Sequence, residues 1–198
     1  MKTVFAFRHA PHIKNILSDA DELLCVNIGD ELRKRGIVFD RAFSSPQPRA
    51  LSTILNVMLG MGNMLPVMTD PAIGDSKLGE FPFAPDELDA LKAAAAEASM
   101  DVETFMLEYD PIREKQTNRG EEGAGCIQLL VNDMSPGMTA AFASHGGSRI
   151  EITIRALAKG TDCENAANKL LLKPASVVQL SFNDEDALVG ITDLGILA

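Results

Sequence analysis

Two arginines and two histidines stand in this chain of 198 residues in settings suited to holding and moving a phosphoryl group. They lie in three short segments far apart in the chain: Phe7-Arg8-His9, Ser45-Pro46-Gln47-Pro48-Arg49-Ala50 and Ser144-His145-Gly146-Gly147. A histidine nucleophile needs a neutral ring with a nitrogen lone pair, and neighbouring cations such as Arg8 and Arg49 favour that form at His9. The same guanidinium groups can fork onto non-bridging phosphate oxygens, which a lysine matches less well. His145, ahead of two glycines that open a helix, adds a further donor, and the helix amino terminus adds partial positive charge. Four such groups around one phosphoryl centre stabilise its transition-state charge without a metal, so no metal site and no cofactor are expected.

Each segment follows an apolar stretch that reads as a strand, at 3–7, 41–44 and 139–143, and each leads into a turn or helix. In an open α/β sheet that junction is where ligands bind. Between them, Leu23, Leu24, Ile28 and Leu32 recur at helical spacing within 19–35, with Asp21 and Glu22 early, Lys34 and Arg35 late, and Gly36 as the stop. A second helix is predicted over 46–59, a short edge strand over 66–69, and a Gly/Pro-rich loop over 70–85. Residues 86–108 read as one or two helices, 110–120 as a polar loop, 121–134 as a helix, and 149–159 and 162–171 as two more. Strands near 177–182 and 188–192 close the order. Strands alternating with helices predict a three-layer αβα sandwich around a mostly parallel central sheet. The whole of 1–198 reads as one domain with a variable helical insertion at about 82–119.

Acidic residues outnumber basic ones 28 to 18, a net charge of −10, and the longest basic run is Arg33-Lys34-Arg35 at a predicted helix end. That excludes a nucleic-acid surface and leaves an outer field repulsive to anions, so a phosphate must be held by locally concentrated arginines. Cys25, Cys126 and Cys163 are odd in number and form no Cys-x-x-Cys, which points to a reducing compartment and no structural zinc. The opening apolar run is interrupted at Arg8, and no 18-residue apolar stretch follows, so neither a signal nor a membrane segment is expected and a cytoplasmic protein is.

In type, spacing and order the three segments resemble the histidine phosphatase superfamily, the phosphoglycerate-mutase-like clan, whose motifs read Arg-His-Gly, Ser-Pro-x-x-Arg-Ala-x-x-Thr and Ser-His-Gly. The stretch from Phe43 to Thr53 matches the second motif almost in full. Leu23 to Leu32 looks like the family's Leu-Thr-x-x-Gly helix with its Gly29 displaced, Ile73-Gly74-Asp75-Ser76-Lys77-Leu78-Gly79 is similar to the loop that carries the acid, and Gly120-Glu121 resembles the Gly-Glu of a later helix. The resemblance implies a phosphatase working through a phosphohistidine on His9, with Arg8, Arg49, His145 and Asn15 on the phosphate. Asp75 would be the catalytic acid, with Glu80 its competitor, and the substrate a small phosphorylated metabolite or a phosphoprotein. Mutase-type transfer, or a weak phosphate-binding pseudoenzyme, are the alternatives.

Departures from the pattern lie in the first motif. Ala10 replaces the usual glycine, and Pro11 and His12 follow where Glu or Gln and then Ser or Thr are common. Pro11 stiffens the loop and removes an amide donor. His12 reads as a surface histidine in preference to a substrate-facing one. Specificity is expected in 82–119 and its margin, where Phe81, Phe83, Phe105, Met106 and Tyr109 read as core or as the surface of a lid.

Overall fold

Val4 and Ala6 alternate with Phe5 and Phe7 along β1 (Lys2–Arg8), and the period of two sends the pairs to opposite faces of a sheet. The computed structural model describes residues 1–74, 84–109, 112–146 and 149–197. In chain order its elements are β1, α1 (Asp19–Lys34), β2 (Arg41–Ser44), α2 (Pro48–Met61), β3 (Val67–Thr69), α3 (Pro85–Glu97), α4 (Val102–Glu108), α5 (Arg113–Asn132), β4 (Thr139–Ser144), α6 (Ile150–Ala158), α7 (Glu164–Asn168), β5 (Val177–Phe182) and β6 (Leu188–Gly195).

The six strands lie in the order β3-β2-β4-β1-β5-β6. The pairs β3–β2, β2–β4 and β4–β1 are parallel, while β5 runs against both β1 and β6. On one face Val4, Ala6, Ala140 and Phe142 pack with Ile127, Leu130 and Val131 of α5 and Ile150 and Ile154 of α6. On the other, Phe5, Phe7, Ala141 and Ala143 pack with Cys25, Ile28 and Leu32 of α1 and Ile54, Val57 and Met58 of α2. Each large apolar side chain so buried contributes roughly 1.5–3 kcal/mol, and the result is the expected αβα sandwich. Gly29, displaced from the family's spacing, is where α1 meets α2: a Cβ there would overlap the Val57 carbonyl.

Register fixes the site. Arg8 pairs with Ser144, and Ser44 with Ala143, so β1, β2 and β4 end at one edge. The first residues beyond them are stitched together there, His9 N–H donating to the Ser144 carbonyl at 2.9 Å and Ser45 N–H to the Ala143 carbonyl at 2.9 Å.

The structure departs from the sequence-based expectation in the second half. Helix α5 begins at Arg113, inside the stretch predicted as a polar loop. Its inward positions there are Gln116, Arg119 and Gly120, all buried, so the helical face exists but is polar and shows no apolar period. Conversely α7 is only Glu164–Asn168, and β6 extends three residues beyond the predicted end. Leu91 and Met106 form a small separate core with Phe105 and Tyr109 against it, ring centroids 4.8 Å apart, so these three insertion residues pack as core. Among the described residues, no helix is long and apolar enough to cross a membrane.

Candidate active site

His9 follows β1 directly and is buried. Its Nδ1 lies 2.8 Å from the Ala10 carbonyl oxygen. A carbonyl only accepts, so Nδ1 carries the hydrogen, and in the neutral ring Nε2 keeps the lone pair. The Ala10 amide in turn donates to Thr53 Oγ1 at 2.9 Å, and Thr53 Oγ1 donates to the Arg49 carbonyl at 2.8 Å. Thr53, the last position of the second motif, is therefore the tie between the nucleophile's loop and α2.

Pro48, at the first position of α2, presets the helical φ, and Arg49 follows in its first turn. The Arg49 guanidinium donates through Nη1 to Asn15 Oδ1. Asn15 reaches it from a tight knuckle in which Lys14 and Asn15 both have positive φ, 51° and 69°. Ile13 and Ile16 close that knuckle with reciprocal backbone bonds of 2.9 and 3.0 Å.

His145 comes from the end of β4. Its ring centroid is 5.0 Å from that of His9, and its Nε2 is 2.9 Å from Ser45 Oγ. Arg8 Nη1 donates to the Leu172 carbonyl at 2.5 Å, while the Leu172 amide donates to Glu151 Oε1 at 3.1 Å. The backbone of Leu172 is thus held at both its carbonyl and its amide, and part of the Arg8 fork goes to backbone.

His9, His145, Arg49 and Asn15 are joined by these contacts, Arg8 directly precedes His9, and none of Arg8, His9, Arg49 and His145 is more than 8% exposed. Cationic and donor groups so removed from water attract an anion strongly, because solvent does not screen them. Asp75, Glu80, Phe81, Phe83 and Gly147 lie outside the described residues. Among the described residues, no three His, Cys, Asp or Glu side chains gather as a metal site.

Several participants escaped the sequence reading. Arg149 is 2% exposed, and donates through Nε to the Gly74 carbonyl at 2.8 Å and through Nη1 to the Arg119 carbonyl at 2.6 Å. Ser144 Oγ donates to the Ile73 carbonyl. Both side chains thereby anchor the residues that lead into Asp75. Nothing about an arginine near a helix start distinguishes a buried clamp from a solvated charge, and Glu151 is equally silent; Ser144 and Thr53 stand in the matched motifs, but the carbonyls and amides they reach do not show there. His12 is exposed, as a surface histidine would be, and its ring centroid lies 5.0 Å from that of His9.

Neither a family model nor a curated protein matches the chain. Solved structures do. Bacillus stearothermophilus YhfR aligns with a TM-score of 0.71 at 18% identity, covering 100% of this chain and 98% of that one. A mycobacterial glucosyl-3-phosphoglycerate phosphatase in complex with VO3 aligns with a TM-score of 0.68 at 19% identity, covering 98% of each chain. Phosphoglycerate mutase from Bacillus anthracis gives 0.68 at 19%, covering 98% of this chain and 93% of that one. The chain shares the fold of these structures, a phosphatase and a phosphoglycerate mutase among them.

Proposed function

We propose that this protein is a phosphomonoester hydrolase that passes its phosphoryl group through His9. The observation that carries this reading is the Nδ1–H of His9 donating to the Ala10 carbonyl, which in the neutral ring puts the lone pair on Nε2 of a buried histidine whose ring centroid is 5.0 Å from that of His145. Nε2 attacks phosphorus and forms a P–N bond as the ester P–O bond breaks. The departing oxygen takes a proton from Asp75, or from Glu80 if the acid loop aligns differently. Water then attacks phosphorus, gives its proton to that carboxylate, and the P–N bond breaks to release inorganic phosphate. Arg49 and His145 stabilise the oxygens in both steps, Arg8 with whatever part of its fork the Leu172 carbonyl does not take, and Asn15 orients Arg49. No step calls for a metal. Single-chain coverage by phosphatases of this fold supports the reading, and three unbridged cysteines fit a reducing cytoplasm.

Mutase-type transfer uses the same first step, and the likeness to a phosphoglycerate mutase favours keeping it as the second reading. It needs a deep, lidded pocket that withholds water from the phosphohistidine while the product reorients, and the short segment between Asp75 and Gly120 favours hydrolysis. Phosphate release from p-nitrophenyl phosphate, sugar phosphates, phosphoglycerates and phosphohistidine peptides, each with and without a chelator, tests the choice. Chelator-insensitive phosphate release is expected. Isomerisation of a phosphoglycerate without phosphate release would establish the mutase, and inertness toward all of them a binding protein.

A further inference from the structure

The chain has three histidines, and His9 lies close to both of the others. The His12 ring centroid is 5.0 Å from that of His9, the same separation as between His9 and His145. Spacing in the sequence does not require this. The knuckle at Lys14 and Asn15 turns the chain back and brings the Asn15 amide to His12 Nδ1 at 3.3 Å. An amide N–H can only donate, so His12 Nδ1 accepts, and the neutral ring carries its hydrogen on Nε2. Asn15 is itself tied to Arg49, so the residue that sets the His12 ring is fixed to the arginine that faces the phosphate.

Two adjacent imidazoles therefore hold opposite tautomers. His9 has its hydrogen on Nδ1 and a lone pair on Nε2, suited to attacking phosphorus; His12 accepts at Nδ1 and has N–H at Nε2, suited to donating to oxygen. Between them stands Pro11, which has no amide hydrogen to offer an anion. We infer that His12 contacts the substrate, its Nε2–H donating a hydrogen bond to a non-bridging oxygen of the phosphoryl group while His9 attacks, and that this supplies the donor Pro11 lacks. The inference rests on the site being the phosphate pocket of the proposed function. As the exposed member of the three, His12 is the one that incoming substrate covers.

The bland alternative is that His12 only packs its ring against His9. Two variants separate these roles, because His12→Phe keeps an aromatic ring without a donor and His12→Gln keeps an N–H donor without the ring. Both should fold, since the position is exposed. The readouts are kcat/KM for p-nitrophenyl phosphate and vanadate affinity by calorimetry, the second independent of turnover. His12→Phe is expected to lose about 10- to 100-fold in both, the range for a hydrogen bond to a charged group, and His12→Gln to stay within about 3-fold of wild type. Wild-type values in His12→Phe, or equal losses in both variants, would overturn the inference. A wild-type protein that binds vanadate but hydrolyses nothing refutes the proposed function alone, with the two variants still deciding His12 by affinity. One that binds no vanadate refutes both.

Discussion

Gly146 lies against the Arg8 guanidinium so closely that a Cβ built on it would stand 2.5 Å from Arg8 Cζ and 2.6 Å from Nη1. The third motif's glycine thus leaves room for the first motif's arginine.

Gly146→Ala should therefore act through Arg8. The Gly146 backbone does not occupy the left-handed region, so alanine is tolerated there apart from the clash with the arginine head. Turnover of an aryl phosphate should fall by about tenfold to a thousandfold, the scale of removing one oxyanion donor, while the melting temperature changes little. Wild-type turnover would show that Arg8 does not act on the phosphoryl group.

Arg49→Lys keeps the charge but loses the planar fork and its bond to Asn15. Loss of about tenfold to a thousandfold in kcat/KM is expected. Unchanged steady-state kinetics in that variant would put Arg49 outside the reaction.

Much of this site was legible in the sequence, for a physical reason. Arg8, Arg49 and His145 each stand within a few residues of a strand end, parallel strands bring such ends to one edge, and alternation along β1 reveals the strand. What stayed hidden depends on chain geometry that residue type does not encode. Thr53 and Arg149 act on backbone carbonyls or amides of distant segments. The first two turns of α5 bury Gln116 and Arg119 where apolar residues would have announced a helix. The Asn15 amide meets the His12 ring through a knuckle in which Lys14 and Asn15 adopt left-handed backbone, which neither residue type demands.

The acid is decided by leaving-group dependence. If Asp75 protonates the departing oxygen, Asp75→Asn should slow alkyl phosphates by roughly 10²–10⁴, and p-nitrophenyl phosphate, whose anion leaves unaided, far less. Glu80→Gln should be nearly silent on both. The reverse pattern moves the acid role to Glu80.

Alkaline pH should weaken the fold through its thiols. Burial pushes the Cys25 thiol up to about 12, and burial together with the Asp70 carboxylate does the same at Cys126. In the unfolded chain both ionise from about pH 8.5. Stability is therefore whole below that pH and declines as pH rises toward 12, because only the unfolded state gains by losing the protons. Melting temperatures between pH 7 and 10.5 should fall less steeply in Cys25→Ala than in wild type; parallel curves would contradict the shift. At pH 8 both native thiols should also react slowly with a thiolate-specific reagent.

The central claim is a covalent bond between phosphorus and His9 Nε2. Rapid denaturation of the enzyme during turnover of a ³²P-labelled substrate should trap phosphate that is lost in acid and kept in alkali. Mapping should place it on His9, and His9→Ala should show none while keeping the wild-type fold. Equal labelling of wild type and His9→Ala, or label that survives acid, would contradict the account.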